Sequence, residues 1–479
     1  MGIRIYDSMK RTTVPFETRD PGKVSMYVCG PTVYNLIHIG NGRTFICFDL
    51  IHRYLEYRGY EVTYVRNYTD VDDKIIERAE VEKVPPDTIA RKYTEAFEED
   101  MRALGGEVPD LTVKATEHVA EMVAAITGLI GNGSAYATDE GDVWFSIESF
   151  DGYGKLSGRS IEDLRAGERV EPHAGKRHPL DFSLWKAAKE GEPSWESPWG
   201  PGRPGWHIEC SVMSEKYLGM GFDLHGGGSD LIFPHHENEI AQAEGLHEGQ
   251  TFVRHWLHSG MVQMEAEKMS KSLGNVVLAR DVAERYGGEQ TRYWALAGSY
   301  RSQPVFSEAA LRDATQAYER WKTFLEASRH LLGERMPQGS WPRTRTDDEI
   351  AAAAGYVTRF IDAMDDDFNT AGGYAVVHDL VSEGNRILER AQSGGDEHIQ
   401  NLIEIIDPFL ELTGVLGFAF PSGTGDNGEL VGGLLDFLLE LREEARAGKA
   451  FDRADAIRDR LISLGVSIED TAAGTRWRI

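Results

Sequence analysis

Hydrophobic and polar positions change period several times along the 479-residue chain. Residues 24–28 (Val-Ser-Met-Tyr-Val) form a short, largely apolar run, the pattern of a buried strand. A loop with Gly30, Pro31, Gly40 and Gly42 follows. Over residues 43–57 the apolar positions include 47, 48, 51, 54 and 55, a spacing that predicts a helix, and Gly59 closes it. Residues 61–66 are β-rich. Strand, helix and strand in such quick succession predict a βαβ unit and hence a parallel sheet. Ligands of such sheets gather beyond the carboxyl ends of the strands, where the loop from Cys29 to Gly42 falls.

A second α/β stretch spans 203–302, with Phe222-Asp223-Leu224-His225, then Gly226, Gly227 and Gly228, then a helix near 235–245. Between the halves, 111–202 reads as an insertion with a helix over 117–130 and a strand over 142–147. From 303 to 420 the pattern turns helical, over 307–333, 347–364, 372–391 and 397–416, predicting a bundle. A Gly- and Ser-containing linker (421–429) leads to a small terminal unit (430–479). The expected architecture is α/β: a Rossmann-like parallel-sheet domain in two halves, 1–110 and 203–302, split by the insertion and followed by the bundle and terminal unit.

Composition narrows the class. Hydrophobic residues are 41% and charged residues 27%, which excludes a disordered chain. Three cysteines, Cys29, Cys47 and Cys210, are odd in number and far apart, which excludes a disulfide scaffold and predicts a cytoplasmic setting. Charges interrupt every apolar run before about 18 residues, so no membrane span is expected. The first twenty residues lack the apolar core of a signal peptide. The net charge of −27 argues against wholesale electrostatic binding of nucleic acid. Residues 440–479 depart from that average: 8 Lys or Arg against 8 Asp or Glu, ending in Arg476-Trp477-Arg478. Arginine beside an aromatic ring suits stacking on unpaired bases.

Three groups of residues carry candidate chemistry. His38-Ile39-Gly40-Asn41 lies in a glycine-rich loop before a helix, where free N–H groups and the helix dipole favour a phosphate. A histidine in a polar turn is the plain alternative. Lys268-Met269-Ser270-Lys271-Ser272 places two cations in a polar loop, suited to the charge of a triphosphate in transfer. A solvated surface pair is its alternative. Cys29, Cys210, His235 and Glu239 offer two thiols, an imidazole and a carboxylate, with His235 and Glu239 on one helix face. Such a set suits zinc, and two buried small hydrophobes are the alternative for the cysteines. Cys47, within Phe45-Ile46-Cys47-Phe48, reads as core.

The first two motifs resemble the HIGH and KMSKS motifs of class I aminoacyl-tRNA synthetases. Asn41 stands where the first usually ends in His, and its amide still donates a hydrogen bond. Cys29-Gly30-Pro31-Thr32-Val33-Tyr34, Asn67-Tyr68-Thr69-Asp70-Val71-Asp72-Asp73-Lys74 and Gly205-Trp206-His207-Ile208-Glu209-Cys210 resemble cysteinyl-tRNA synthetases specifically. So do His225-Gly226-Gly227-Gly228-Ser229-Asp230-Leu231 and Phe233-Pro234-His235-His236-Glu237-Asn238-Glu239, and the likeness covers essentially the whole chain.

The resemblance implies formation of cysteinyl-adenylate from L-cysteine and ATP, then transfer to the 3′ end of tRNA(Cys). It implies one zinc ion per subunit on Cys29, Cys210, His235 and Glu239, selecting the substrate thiolate, with Mg²⁺ accompanying ATP. His38 and Asn41 are then expected on the phosphates, and Lys268 and Lys271 on the β- and γ-phosphates. Gly30, Gly40, Gly226, Gly227, Gly228 and Asp230 are expected around ATP, with Asp230 near the ribose. Thr69, Trp206 and His207 would complete the cysteine pocket. Arg446, Phe451, Asp455 and Asp470 would read the anticodon, and the family resemblance implies a monomer. Two rivals remain: a paralogue joining cysteine to an amino sugar, and a catalytically dead RNA-binding relative. The terminal unit disfavours the first, and the intact lysines and ligand set disfavour the second.

Overall fold

The computed structural model describes residues 2–159, 175–264, 277–337, 355–392, 395–420, 427–463, 466–471 and 474–478. Its central element is a five-stranded sheet, all parallel. The strands, numbered along the chain, are β1 (Lys23–Val28), β2 (Glu61–Tyr68), β3 (Leu111–Lys114), β4 (Phe222–Gly228) and β5 (Val253–Ser259). They lie in the order β3-β2-β1-β4-β5, that of a doubly wound nucleotide-binding sheet. Its topological switch point is the crevice between β1 and β4. Every residue of β1 after Lys23 is buried, as expected where both faces are covered. Asp223 staples β1 to β4: Ser25 donates its N–H (2.8 Å) and hydroxyl (2.7 Å) to Oδ2.

Helix α1 (Ile39–Tyr57) follows β1 and starts four residues before the position predicted from apolar spacing. The cause is His38, whose ring accepts the Asn41 N–H at 3.2 Å and so caps a turn containing Gly40 and Gly42. Three further helices position the site: α2 (Asp73–Glu82), α3 (Trp206–Leu218) and α4 (Glu237–Leu246).

The insertion holds a four-stranded antiparallel sheet, Ala135–Ala137, Val143–Phe145, Phe182–Ala187 and Gly202–Pro204. The expected boundary at 110/111 falls just before β3, which pairs with β2, so the parallel sheet extends to Lys114. The insertion shares its core with the sheet: Tyr27, Val65, Phe145, Phe182, Trp185 and Trp256 belong to one buried cluster.

Helices Glu308–Leu332, Tyr356–Met364, Thr370–Gln392 and Asp396–Val415 make the bundle. Residues 347–354 of the predicted second helix lie outside the described residues. The chain divides into two compact units, Met1–Ala419 and Phe420–Ile479. The second has helices Asn427–Ala447 and Phe451–Ser463 and a hairpin, Ser467–Thr471 with Gly474–Arg478. It has its own small core of Leu435, Leu439, Leu461 and Val466. Among the described residues no helix is long and apolar enough to cross a membrane.

Candidate active site and metal centre

The carboxyl ends of β1 and β4 open into a cleft. Cys29, Gly30, Thr32, Tyr34, His38, Asn41, Thr44, Lys74, Trp206, Gly228 and Asp230 line it, continuing along Ser259–Val262. One wall is the capped start of α1. Because His38 Nδ1 accepts the Asn41 amide, a neutral ring carries its proton on Nε2, which can donate. Burial lowers the His38 pKa, only partly opposed by Asp230, and so favours that neutral ring.

The lip on the far side needs glycine. The Gly30 N–H donates to Asn67 Oδ1 at 2.8 Å, and a Cβ there would lie 1.6 Å from the Asn67 carbonyl oxygen. Behind the lining, buried Arg43 supports Gly260 by donating to its carbonyl (2.8 Å) and to that of Ser299 (3.0 Å). Lys268 and Lys271 lie outside the described residues. The chain nearest that segment is described: Val262 lines the cleft, and the Ile39 N–H donates to the Val277 carbonyl at 2.9 Å.

At the inner end of the cleft, Cys29, Cys210, His235 and Glu239 converge, all buried, their donor atoms within 4.8 Å of one another. The tertiary fold thus joins two cysteines that are 181 residues apart, at positions 29 and 210. Cys29 comes from the end of β1, Cys210 from α3, Glu239 from α4 and His235 from the turn before it. Glu239 Oε1 lies 3.0 Å from His235 Nε2 and 3.4 Å from Cys29 Sγ. Cys47 stays in the core, away from this cluster.

Two features fit the cluster to a metal. Glu239 Oε2, fully buried, has no hydrogen-bond partner among the described residues, with His225 Nε2 3.3 Å away. Burial raises the pKa of Glu239, and burial together with the neighbouring Cys210 raises that of Cys29, whereas at Cys210 burial is outweighed by Cys29 and His235, which bring its thiol down to about 7. Two sulfurs, an imidazole and a carboxylate are the donors and number of a zinc site. His207 Nδ1 lies 2.9 Å from His235 Nδ1, so His235 is oriented from behind with Nε2 toward the cluster. Trp206 stacks on the His235 ring, 4.2 Å between centroids.

Spacing did not single out two further donors. His225 Nε2 lies 3.3 Å from Glu239 Oε2, and His225, His236, Cys29 and Glu239 form a second, overlapping set. His236 Nδ1 contacts His258 Nε2 (2.8 Å), whose Nδ1 contacts the Ser8 hydroxyl (2.8 Å). Burial, aided by neighbouring imidazoles, lowers the pKa of His225 and His236, keeping both neutral. Histidines beside a glycine run and beside His235 were the available signal.

The other expected residues divide. Gly40, Gly228 and Asp230 line the cleft. Gly226 and Gly227 instead make room for the protein's own side chains: a Cβ would lie 2.3 Å from the Phe48 ring at Gly226 and 2.9 Å from His236 at Gly227. Thr69 is buried and donates to Glu209 Oε2 at 2.8 Å, behind the cleft wall.

Residues 15–316 match the family described as tRNA synthetases class I (C) catalytic domain, 359–420 the DALR domain, and 435–478 the cysteinyl-tRNA ligase anticodon binding domain. Cysteine–tRNA ligases of Geobacter sulfurreducens and Brevibacillus brevis are each 47% identical to the chain, covering 100% of both partners in each comparison. That of Moorella thermoacetica is 48% identical and covers 99% of both. The chain belongs to the cysteinyl-tRNA ligase family. Its fold likeness reaches further: Mycobacterium tuberculosis methionyl-tRNA synthetase with methionyl-adenylate superposes with a TM-score of 0.60 at 17% identity, over 82% of this chain and 90% of that one.

In the terminal unit of this ligase, Arg446, Phe451 and Asp455 are exposed on two helices, Phe451 at 59%. Asp470 lies on the strand Ser467–Thr471. The first three are accessible to a polynucleotide.

Proposed function

We propose that the ligase activates cysteine at the cleft between β1 and β4 and passes it to tRNA(Cys), with zinc held by Cys29, Cys210, His235 and Glu239. One observation carries the reading: Cys29, of the metal set, and His38 and Asn41, of the phosphate cradle, line a single cleft. A thiol at the inner end and a triphosphate at the α1 end would therefore meet.

Adenylate formation attaches the cysteine carboxylate to the α-phosphorus of ATP and releases pyrophosphate. It needs alignment and neutralised charge more than proton transfer. His38 Nε2–H, the Asn41 side-chain amide and the α1 N-terminus serve as fixed donors to phosphate oxygens. Asp230 is placed to accept from the ribose hydroxyls. Lys268 and Lys271 are assigned to the β- and γ-phosphates. Trp206 and His207 hold His235 in place, and Thr69 holds the buried Glu209.

Zinc, when bound, supplies a soft Lewis-acid contact that favours a thiolate over a hydroxyl. A hydrophobic pocket alone separates such substrates by only about 10–200-fold. The reading is tested by pyrophosphate exchange into ATP with cysteine or serine, on zinc-loaded and chelator-treated protein. Cysteine-dependent exchange that chelation abolishes and zinc restores is expected. Exchange that survives demonstrated metal removal, with serine still excluded, would overturn the zinc assignment. The amino-sugar alternative is answered by comparing transfer to tRNA with transfer to an amino sugar, and the terminal unit favours tRNA.

A further inference from the structure

We propose that Lys74 binds a backbone phosphate of the tRNA 3′ end as it enters the cleft for the transfer step. This rests on the reading of the cleft given above and adds a contact to it.

Lys74 is exposed on the first turn of α2 and is the only lysine or arginine among the described residues that line the cleft. Neither neighbouring carboxylate forms an ion pair with it among the described residues. Asp72 caps α2 by accepting the Lys74 backbone N–H at 3.0 Å. Asp73 is held by Lys186, at 2.5 Å, and by Arg203, both from the insertion. The Lys74 ammonium instead sits 5.5 Å from the centre of the Tyr34 ring, with no ion pair among the described residues. In a chain of net charge −27, an exposed cation without an ion pair among the described residues, lining a cleft that takes polyanions, is suited to a phosphate.

Topology says which polyanion. Residues 69–74 follow β2, on one side of the β1–β4 crevice, while Gly228, Asp230 and Ser259–Val262 follow β4 and β5 on the other. The phosphate donors of α1 border that second side, where Thr44 and Ser259 share a hydrogen bond of 2.9 Å. Lys74 thus faces the cleft from the β2 side, across from Gly228, Asp230 and Ser259–Val262, and the neighbouring Asp73 ties that side to the insertion through Lys186. A phosphodiester strand entering along that side would meet a point charge beside an aromatic face.

The test uses Lys74→Gln and Lys74→Arg in the full chain. Three quantities are measured: cysteine-dependent pyrophosphate exchange, single-turnover transfer from preformed adenylate to tRNA, and the salt dependence of tRNA binding. Lys74→Gln is expected to lower transfer roughly tenfold more than exchange, and to reduce the slope of log Kd against log salt by about 0.7–1, as one lost phosphate contact would. Lys74→Arg should restore both. Exchange falling as much as transfer would assign Lys74 to ATP and overturn the proposal. So would an unchanged salt slope and unchanged transfer. Wild-type protein without cysteine-dependent exchange would overturn the underlying reading instead, while the salt slope still reports on Lys74.

Discussion

Glu239 is fully buried, and among the described residues its Oε2 has no hydrogen-bond partner although two imidazoles and a thiol crowd around the carboxylate. Leaving a carboxylate so is costly unless a cation joins it. The same argument separates the cysteines: Cys29 and Cys210 face this carboxylate, whereas Cys47 sits in the core. Cys210→Ser is therefore expected to lose bound zinc and cysteine activation together, checked by metal analysis beside pyrophosphate exchange. A serine variant that keeps both contradicts the ligand set. His207 acts one step back, through the 2.9 Å contact between its Nδ1 and that of His235. His207→Ala should weaken zinc affinity by about 10–100-fold, read in competition with a chelator of known affinity. The sequence pointed to these four candidate donors because each is a residue type that can bind metal, and the structure brings them together. Sequence alone could not show His225 and His236 beside them, since only the pairing of β1 with β4 and the packing of α4 bring those rings in.

Elements are joined to one another by buried charge. On α1, Asp49 accepts from Arg53 (2.9 Å), from Arg292 (2.5 Å) and from the Glu107 amide (2.7 Å). Arg292, on helix Gly288–Leu296, also donates to the Leu416 carbonyl at 2.8 Å, tying α1 to the end of helix Asp396–Val415. Burial pushes the Asp49 carboxyl up, but Arg292, Arg53 and the amide outweigh it and hold the pKa below 3.8. A depressed carboxylate stabilises the fold at any pH above its unfolded value and loses that contribution as pH falls through its folded value. Asp49→Asn leaves Arg292 buried with its charge unbalanced, so it should cost about 3–5 kcal/mol at neutral pH, measured by urea unfolding. The wild-type advantage should narrow once pH drops below 3.8. Equal stability of the two proteins at neutral pH would contradict this joint. Such ties are long-range, and no local pattern announced them. The start of α1 was misplaced for a related reason: a histidine cap on a turn of glycines is not among the usual capping residues. Gly226 and Gly227 resembled a nucleotide cradle, yet their missing side chains make room for Phe48 and His236.

Over the whole molecule, charge and cores are partitioned. The −27 average conceals a terminal segment, 440–479, in which 8 basic and 8 acidic residues cancel. That segment lies within a unit, Phe420–Ile479, whose core of Leu435, Leu439, Leu461 and Val466 is its own. The candidate metal donors and described cleft residues all belong to Met1–Ala419. The helical pattern and the terminal unit were legible because their contacts are local. The insertion was legible as an interruption but not as part of the shared core, because β3 pairs with β2 and its sheet packs on the same cluster as Tyr27 and Trp256. If adenylate formation needs only the first unit and tRNA recognition needs the second, the two half-reactions can be separated by truncation after Ala419. The shortened protein should retain most pyrophosphate exchange while its kcat/KM for tRNA aminoacylation falls by roughly 10³-fold, as expected when a major set of nucleic-acid contacts is removed. Adding the isolated unit back should not restore it, because the gain from covalent linkage is an effective concentration that separate chains lack. Parallel loss of exchange and aminoacylation, in a truncated protein shown to be folded by its unfolding transition, would instead mean that the terminal unit supports the cleft itself.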